Sequence, residues 1–245
     1  MRGVAALVLT LGLSLAVGAC ASRSPLLDMS ADELYAYGVE AYEREEWDDA
    51  IRGLERLLGA NPTFPQTPEA RLLLARAHYQ REEYLTAISE YERFIQRHPG
   101  RADAPDAALG ICHAYRELAP IPQRDQGYTR QAATACQNVA RDYAGTDQAQ
   151  EAWSIRGEML ERIAEKEFLT GRFYFQRNLY DSGLIYFQRV VEQYPDSQWA
   201  PQSLLLMFRT YENIGYEEEA EDVKEQIMSR YPDSLAAREL NGTGA

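Results

Sequence analysis

The side chains best able to do covalent or metal chemistry in this chain are few. They are three thiols, Cys20, Cys112 and Cys136, and three imidazoles, His78, His98 and His113. A structural zinc site needs thiolates and imidazoles at short paired spacings such as C-x-x-C. No two of these cysteines are so spaced. Cys112 and Cys136 fall on neighbouring helical segments. They read either as two buried small hydrophobes or, in an oxidising compartment, as a disulfide, and the spacing leaves both readings open. His98 precedes a helix-stopping proline and reads as exposed. His78 and His113 lie on separate helices with no Asp or Glu set beside them in a metal or triad pattern. No nucleophile elbow, phosphate-binding glycine loop or dinucleotide fingerprint occurs. Carboxylates are plentiful, and the net charge of −13 repels phosphate, which argues against nucleic acid as a partner. On amphipathic helices those carboxylates read as solvated faces. The expectation is no enzyme, no metal and no cofactor beyond a covalent lipid.

That lipid belongs to Cys20. Arg2 opens a leader whose run from Val4 to Ala19 is almost wholly apolar, and too short to span a bilayer comfortably. The run closes Val17-Gly18-Ala19-Cys20, which resembles a bacterial lipobox. The resemblance implies that residues 1–19 are removed and that the Cys20 thiol takes a diacylglyceryl group. Several acyl chains hold a protein to membrane where one does not. Ala21 rather than Asp after the cysteine implies the outer membrane under the familiar sorting rule. Residues 20–30 then form a lipidated tether, and Ser30 with Glu33 suits a capping box.

What remains is the chemistry of binding, and the elements that would position it are helices. Apolar residues recur at helical spacing through nearly the whole chain. Stops of the type Tyr/Asn/His-Pro occur at Pro62, Pro99, Pro195 and Pro232. The first two are 37 residues apart, as are the last two. Twelve residues before each stop sits a small residue: Ala50, Ala87, Gly183 and Ala220. Trp47, Tyr84 and Tyr180 stand three residues earlier still. A fixed period with a small residue at a helix crossing marks a repeat array. The pattern resembles the tetratricopeptide repeat, which implies an all-α fold. It would be a right-handed superhelix of about five tetratricopeptide-like helical hairpins.

Two irregularities break the period. Pro105 and Cys112 keep phase with Pro68 and Ala75, but Ala132 lies eight residues later than Ala87 predicts. The insert, Ala119-Pro120-Ile121-Pro122-Gln123-Arg124-Asp125-Gln126, reads as a loop, and an enlarged loop in an array is often a binding place. From Ala144 to Pro195 the fourth repeat overruns its period by 14 residues with no proline between Ala149 and Tyr194. The excess reads as about 21 Å of extra helix, running from about Gln148 through Arg177. Trp153, Ile155, Met159, Leu160, Ile163, Phe168 and Phe175 are its expected apolar stripe. A fifth repeat covers about 201–232, and 241–245 reads as a frayed tail.

In tetratricopeptide arrays the first helix of each hairpin lines a concave side. By register that assigns Tyr35, Val39 and Tyr42, then Leu72, Arg76 and Tyr79, then Leu109, His113 and Arg116. Aromatic residues beside two arginines suit an extended peptide carrying aromatics and a terminal carboxylate. The alternative is that several of these side chains pack against neighbouring helices.

The order of features is similar to one family. A lipobox precedes five repeats, an insert in the third and a long helix into the fourth. Glu92-Arg93-Phe94-Ile95 closes repeat two, and Arg124-Asp125-Gln126 precedes the late helix. Ala164-Glu165-Lys166-Glu167 leads to Phe173-Tyr174-Phe175 and Arg177-Asn178-Leu179-Tyr180. Together they resemble the outer-membrane protein assembly factors of the BamD family. The resemblance implies a lipoprotein on the periplasmic face of the outer membrane. Repeats 1–3 (31–147) would receive unfolded outer-membrane proteins. The long helix with repeats 4–5 (148–240) would hold a β-barrel insertase of the BamA type. One departure is Leu184-Ile185-Tyr186, where members often carry an arginine. Rival readings are a lipoprotein scaffold for envelope maintenance or cell division and, of another class, a lipid-anchored hydrolase.

Overall fold

The computed structural model describes residues 25–242, so the leader, Cys20 and the last three residues lie outside the described region. A short 3-10 turn, Pro25–Leu27, precedes eleven α-helices among the described residues. They are α1 (Ala31–Glu43), α2 (Trp47–Ala60), α3 (Thr67–Gln80), α4 (Tyr84–Arg97), α5 (Ala104–Leu118), α6 (Gly127–Asp142), α7 (Asp147–Phe175), α8 (Tyr180–Gln193), α9 (Trp199–Ile214), α10 (Glu217–Arg230) and α11 (Leu235–Leu240). No strand occurs among the described residues. Successive pairs form five hairpins, and α11 covers the end of the last.

Local chemistry sets the helix limits. Ser30 caps α1 with a full capping box: its Oγ accepts from Glu33 N–H, and its own N–H donates to Glu33 Oε2 at 2.7 Å. Pro68 and Pro105 stand in the first turns of α3 and α5, where a missing N–H costs nothing. The second helices of the five hairpins end on Asn61, His98, Tyr143, Tyr194 and Tyr231, all near φ −130° and ψ +50°. Four of these precede proline, which bars the α conformation there. Tyr143 adopts the same cap without a proline.

The turn inside each hairpin repeats as well. Glu45, Glu82, Asn178 and Gly215 take positive φ of 60°, 60°, 58° and 79°. The next residue's N–H then reaches back to Ala41, His78, Phe175's neighbour Tyr174, and Tyr211 respectively. An aromatic pair spans each of these four turns: Tyr42 on Trp47, Tyr79 on Tyr84, Phe175 on Tyr180 and Tyr211 on Tyr216. Repeat three, whose turn carries the insert, brings Tyr115 against Tyr128.

Close helix crossings account for the small residues. A Cβ on Gly38 would sit 2.7 Å from Leu54, and one on Gly171 the same distance from Phe187. Ala75 and Cys112 occupy the equivalent crossings of repeats two and three, both fully buried. At the third crossing Cys112 and Cys136 are joined as a disulfide, with Cα atoms 4.9 Å apart. The disulfide is thus the reading that holds.

The two sequence irregularities meet in space. α7 is 29 residues long. Its first half packs Ala152, Ile155 and Met159 onto α5 and α6, and its second half packs Ala164 and Phe168 against α8 and α9. The inserted loop is tied to it. Arg162 donates to the Ala119 carbonyl at 3.0 Å, and Lys166 to that of Gln123 at 3.2 Å. Gln126 is buried and donates to the carbonyls of Ile121 and Arg124. The insert is a bracket for α7 rather than a free flap. Trp153 departs from the expected stripe: it is 60% exposed, because helix α7 turns that face away from both cores.

Candidate binding surfaces

The first helices α1, α3, α5 and α7 touch one another in series, which makes them the inner layer of the array. Four of the expected residues, Tyr35, Val39, Leu72 and Arg76, line one depression of about 320 Å³ rimmed by Glu69 and Asp103. Tyr35 packs on Phe64. Leu72 is 5% exposed, so it forms the floor. Arg101 bridges the rim, donating to Glu69 at 2.8 Å and to Asp103 at 3.0 Å. Its hydrogen bond holds the Asp103 carboxyl below the usual range. Arg76 reaches out half-exposed, 3.9 Å from Asp106. Burial pushes the phenols of Tyr42 and Tyr91 up, and the Arg76 charge opposes that rise in both. Tyr79, like Tyr42, is held by its aromatic neighbour across the turn.

The third panel is built differently. Leu109 is buried in the core it shares with Ala152, Ile155 and Met159 of α7. His113 lies 3.1 Å from Glu151, and Arg116 Nε 3.2 Å from Glu158. Helix α7 therefore runs along α5 and engages all three residues. One further expectation is corrected here, and one is refined. Each inner-layer histidine has one carboxylate beside it, since His78 Nδ1 lies 2.6 Å from Glu83. His98 is half-buried against Phe94, not exposed. These are single pairs: among the described residues no group of three or more His, Cys, Asp or Glu could hold a metal ion.

A second surface escaped the sequence reading. Phe173 is 48% exposed, with the Arg177 guanidinium 3.5 Å from its ring centroid. Tyr174 meets Phe173 edge-on and stacks on Tyr186 at 5.6 Å. Arg189 lies over Tyr186 and pairs with Glu167, and Ile185 beside it is 60% exposed. The equivalents of Phe173 in repeats two and three are Ala77 and Ala114, both fully buried. Ala77 packs on Ala41 and Ala50 of the preceding hairpin. In repeat four the long α7 pushes its predecessor back along the helix, so the matching face has no hairpin against it and carries aromatic residues. The signal was present in the sequence as this swap of alanine for phenylalanine at one register position.

No helix among the described residues is long and apolar enough to cross a membrane. Among solved structures, the chain is similar to the TPR2AB domain of yeast Sti1 in its complex with pHSP90. The identity is 18%, the TM-score 0.46, and the match covers 84% of this chain and 80% of that one. Among characterised relatives, it is 26% identical to the outer membrane protein assembly factor BamD of Caulobacter vibrioides, over 83% of this chain and 68% of that protein. The BamD of Vibrio cholerae is 25% identical over 91% of this chain and 96% of its own length. The model of the YfiO family, described as outer membrane lipoprotein, matches residues 27–227. With most of the repeat array inside that match, the chain belongs to the YfiO family of outer membrane lipoproteins.

Proposed function

We propose that this protein is a non-enzymatic scaffold that assists assembly and insertion of β-barrel proteins into the outer membrane. It is held to that membrane by lipid on Cys20, on the periplasmic face. The inner face of repeats one and two, around Tyr35, Val39, Tyr42, Leu72, Arg76 and Tyr79, receives an extended segment of an unfolded barrel protein. Arg76 pairs with a carboxylate there, and the tyrosines pack on aromatics. Leu109, His113 and Arg116 close the end of that path against α7. The aromatic edge of repeat four docks the membrane-embedded insertase.

The observation that carries this reading is the bare repeat face at Phe173 and Ile185. An array that buries alanine at one register position in repeats two and three and exposes phenylalanine there in repeat four is built to stack on something else. Its test is site-specific photo-crosslinking in living cells from position 76 and, separately, from position 185. Unfolded barrel precursors are expected at 76 and a barrel-type membrane protein at 185. Peptidoglycan enzymes at both positions would favour envelope maintenance instead.

A further inference from the structure

We infer that the cleft between α7 and the α8–α9 turn is a separate docking site for an extended, basic segment of a partner protein. Trp153, Arg156, Gly157, Leu160 and Glu161 form one wall, and the turn from Glu192 to Ser197 forms the other, around a space of about 560 Å³. Three polar atoms at this cleft are buried without a hydrogen-bond partner: Arg156 Nε, Glu161 Oε2 and Ser197 Oγ. Ser197 is 7% exposed. Buried polar atoms are costly to leave unpaired, so such a cluster marks a surface made for a ligand.

The orphans are one donor, one acceptor and one hydroxyl that can do either. Each orphan is closed off from solvent in this arrangement, so a bound peptide meets it after the side chain turns outward: a peptide carbonyl then accepts from Arg156 Nε, and a peptide N–H donates to Glu161 Oε2. The other Glu161 oxygen is already engaged, accepting from Gln198 N–H at 3.0 Å. Gly157 points the same way. It lies inside a 29-residue helix, yet nothing comes within 4 Å of where its Cβ would be. Glycine there is unfavourable for the helix and has no packing role within the chain. It does allow a second backbone to approach α7 closely. The exposed Trp153 indole, with Arg156 4.8 Å from its ring, and the half-buried Leu160 give an apolar shelf for a side chain. The charge is set by Glu161, Glu192 and Asp196 against Arg156 alone, which selects a cationic segment over an acidic one.

This site is distinct from the inner face at Arg76, and its test separates the two. The probe is acetyl-Arg-Leu-Arg-Val-Arg-amide, with acetyl-Glu-Leu-Glu-Val-Glu-amide as its counterpart. The readout is the Trp153 indole N–H resonance in the mature chain, assigned with Trp153→Phe. Saturable movement with the basic peptide is expected. It should weaken roughly tenfold or more in Gly157→Leu and in Glu161→Gln, where a filled approach or a lost anionic acceptor remains, and stay unchanged in Arg76→Ala. Leucine is a good helix former in open space, so Gly157→Leu keeps the fold, checked by a thermal midpoint no lower than the parent's. No movement at millimolar peptide, equal movement with the acidic peptide, or undiminished binding by Gly157→Leu would each overturn the assignment.

Discussion

Repeats one to three and repeats four and five use the same hairpin but spend their surfaces differently. In the first group, crossings are sealed by Gly38, Ala75 and Cys112, and charge is paired off. Arg71 meets Glu90 at 2.6 Å with both side chains under a tenth exposed, and the inner face is laced by Arg76–Asp106, His113–Glu151 and Arg116–Glu158. In the second group the repeat-to-repeat face at Phe173 is open and aromatic. The difference teaches that α7 is a boundary rather than a repeat helix. Half of it ends one array and half begins another, and the restart exposes a face that an uninterrupted array would bury.

The first way to break that comparison is at the buried ion pair. Glu90→Ala would strand Arg71 in the interior and is expected to cost about 3–5 kcal/mol. Replacing both partners with leucine should recover most of the loss. Chemical denaturation reads both. Repeat three has no counterpart, since Ala108 stands one period after Arg71, and a cavity of about 500 Å³ opens over it between α4 and α6. A similar loss from a mutation at Ala108 would erase the contrast.

Next is the disulfide. With its cysteines 24 positions apart in the chain, reduction or Cys136→Ala is expected to cost about 3 kcal/mol through restored freedom of the unfolded chain. Unfolding with and without reductant measures it.

Two glycines of α7 sharpen the boundary from either side. Gly171→Ala would drive a Cβ into Phe187 and the Gly183 carbonyl, and should cost about 1–3 kcal/mol. Gly157→Ala, in open space, should stabilise by about 0.5–1 kcal/mol. Opposite signs in thermal melts are the expected result.

The smallest effect is at the rim of the inner face. Arg101 depresses the Asp103 pKa in the folded state. Its contribution is therefore present above the unfolded carboxylate value of about 3.9, and is lost as pH falls through the lower folded value. Asp103→Asn should cost about 0.5–1 kcal/mol at neutral pH. The gap between parent and variant should close in acid, where Asp103 is protonated.

Much of this was legible before any coordinates. The 37-residue pitch, the capping box at Ser30 and the length of α7 rest on local causes. Proline bars its predecessor from the α conformation, and serine with glutamate three residues on satisfies orphan amides wherever they stand. Such determinants need no distant partner, so the one-dimensional sequence by itself carried the fold class, the hairpin limits and the place where the period breaks.

The tertiary structure alone decided which side chains those helices cover. Trp153 fits the stripe by period, yet faces outward because α7 has two cores with a turn between them. Leu109, His113 and Arg116 match the inner-face register, yet meet α7 because the inserted loop brackets it alongside α5. Cys112 and Cys136 become a pair only where α5 crosses α6. In each case the deciding quantity is the presence or absence of a neighbour remote in sequence. Periodicity states which face a residue is on, but not what, if anything, stands opposite.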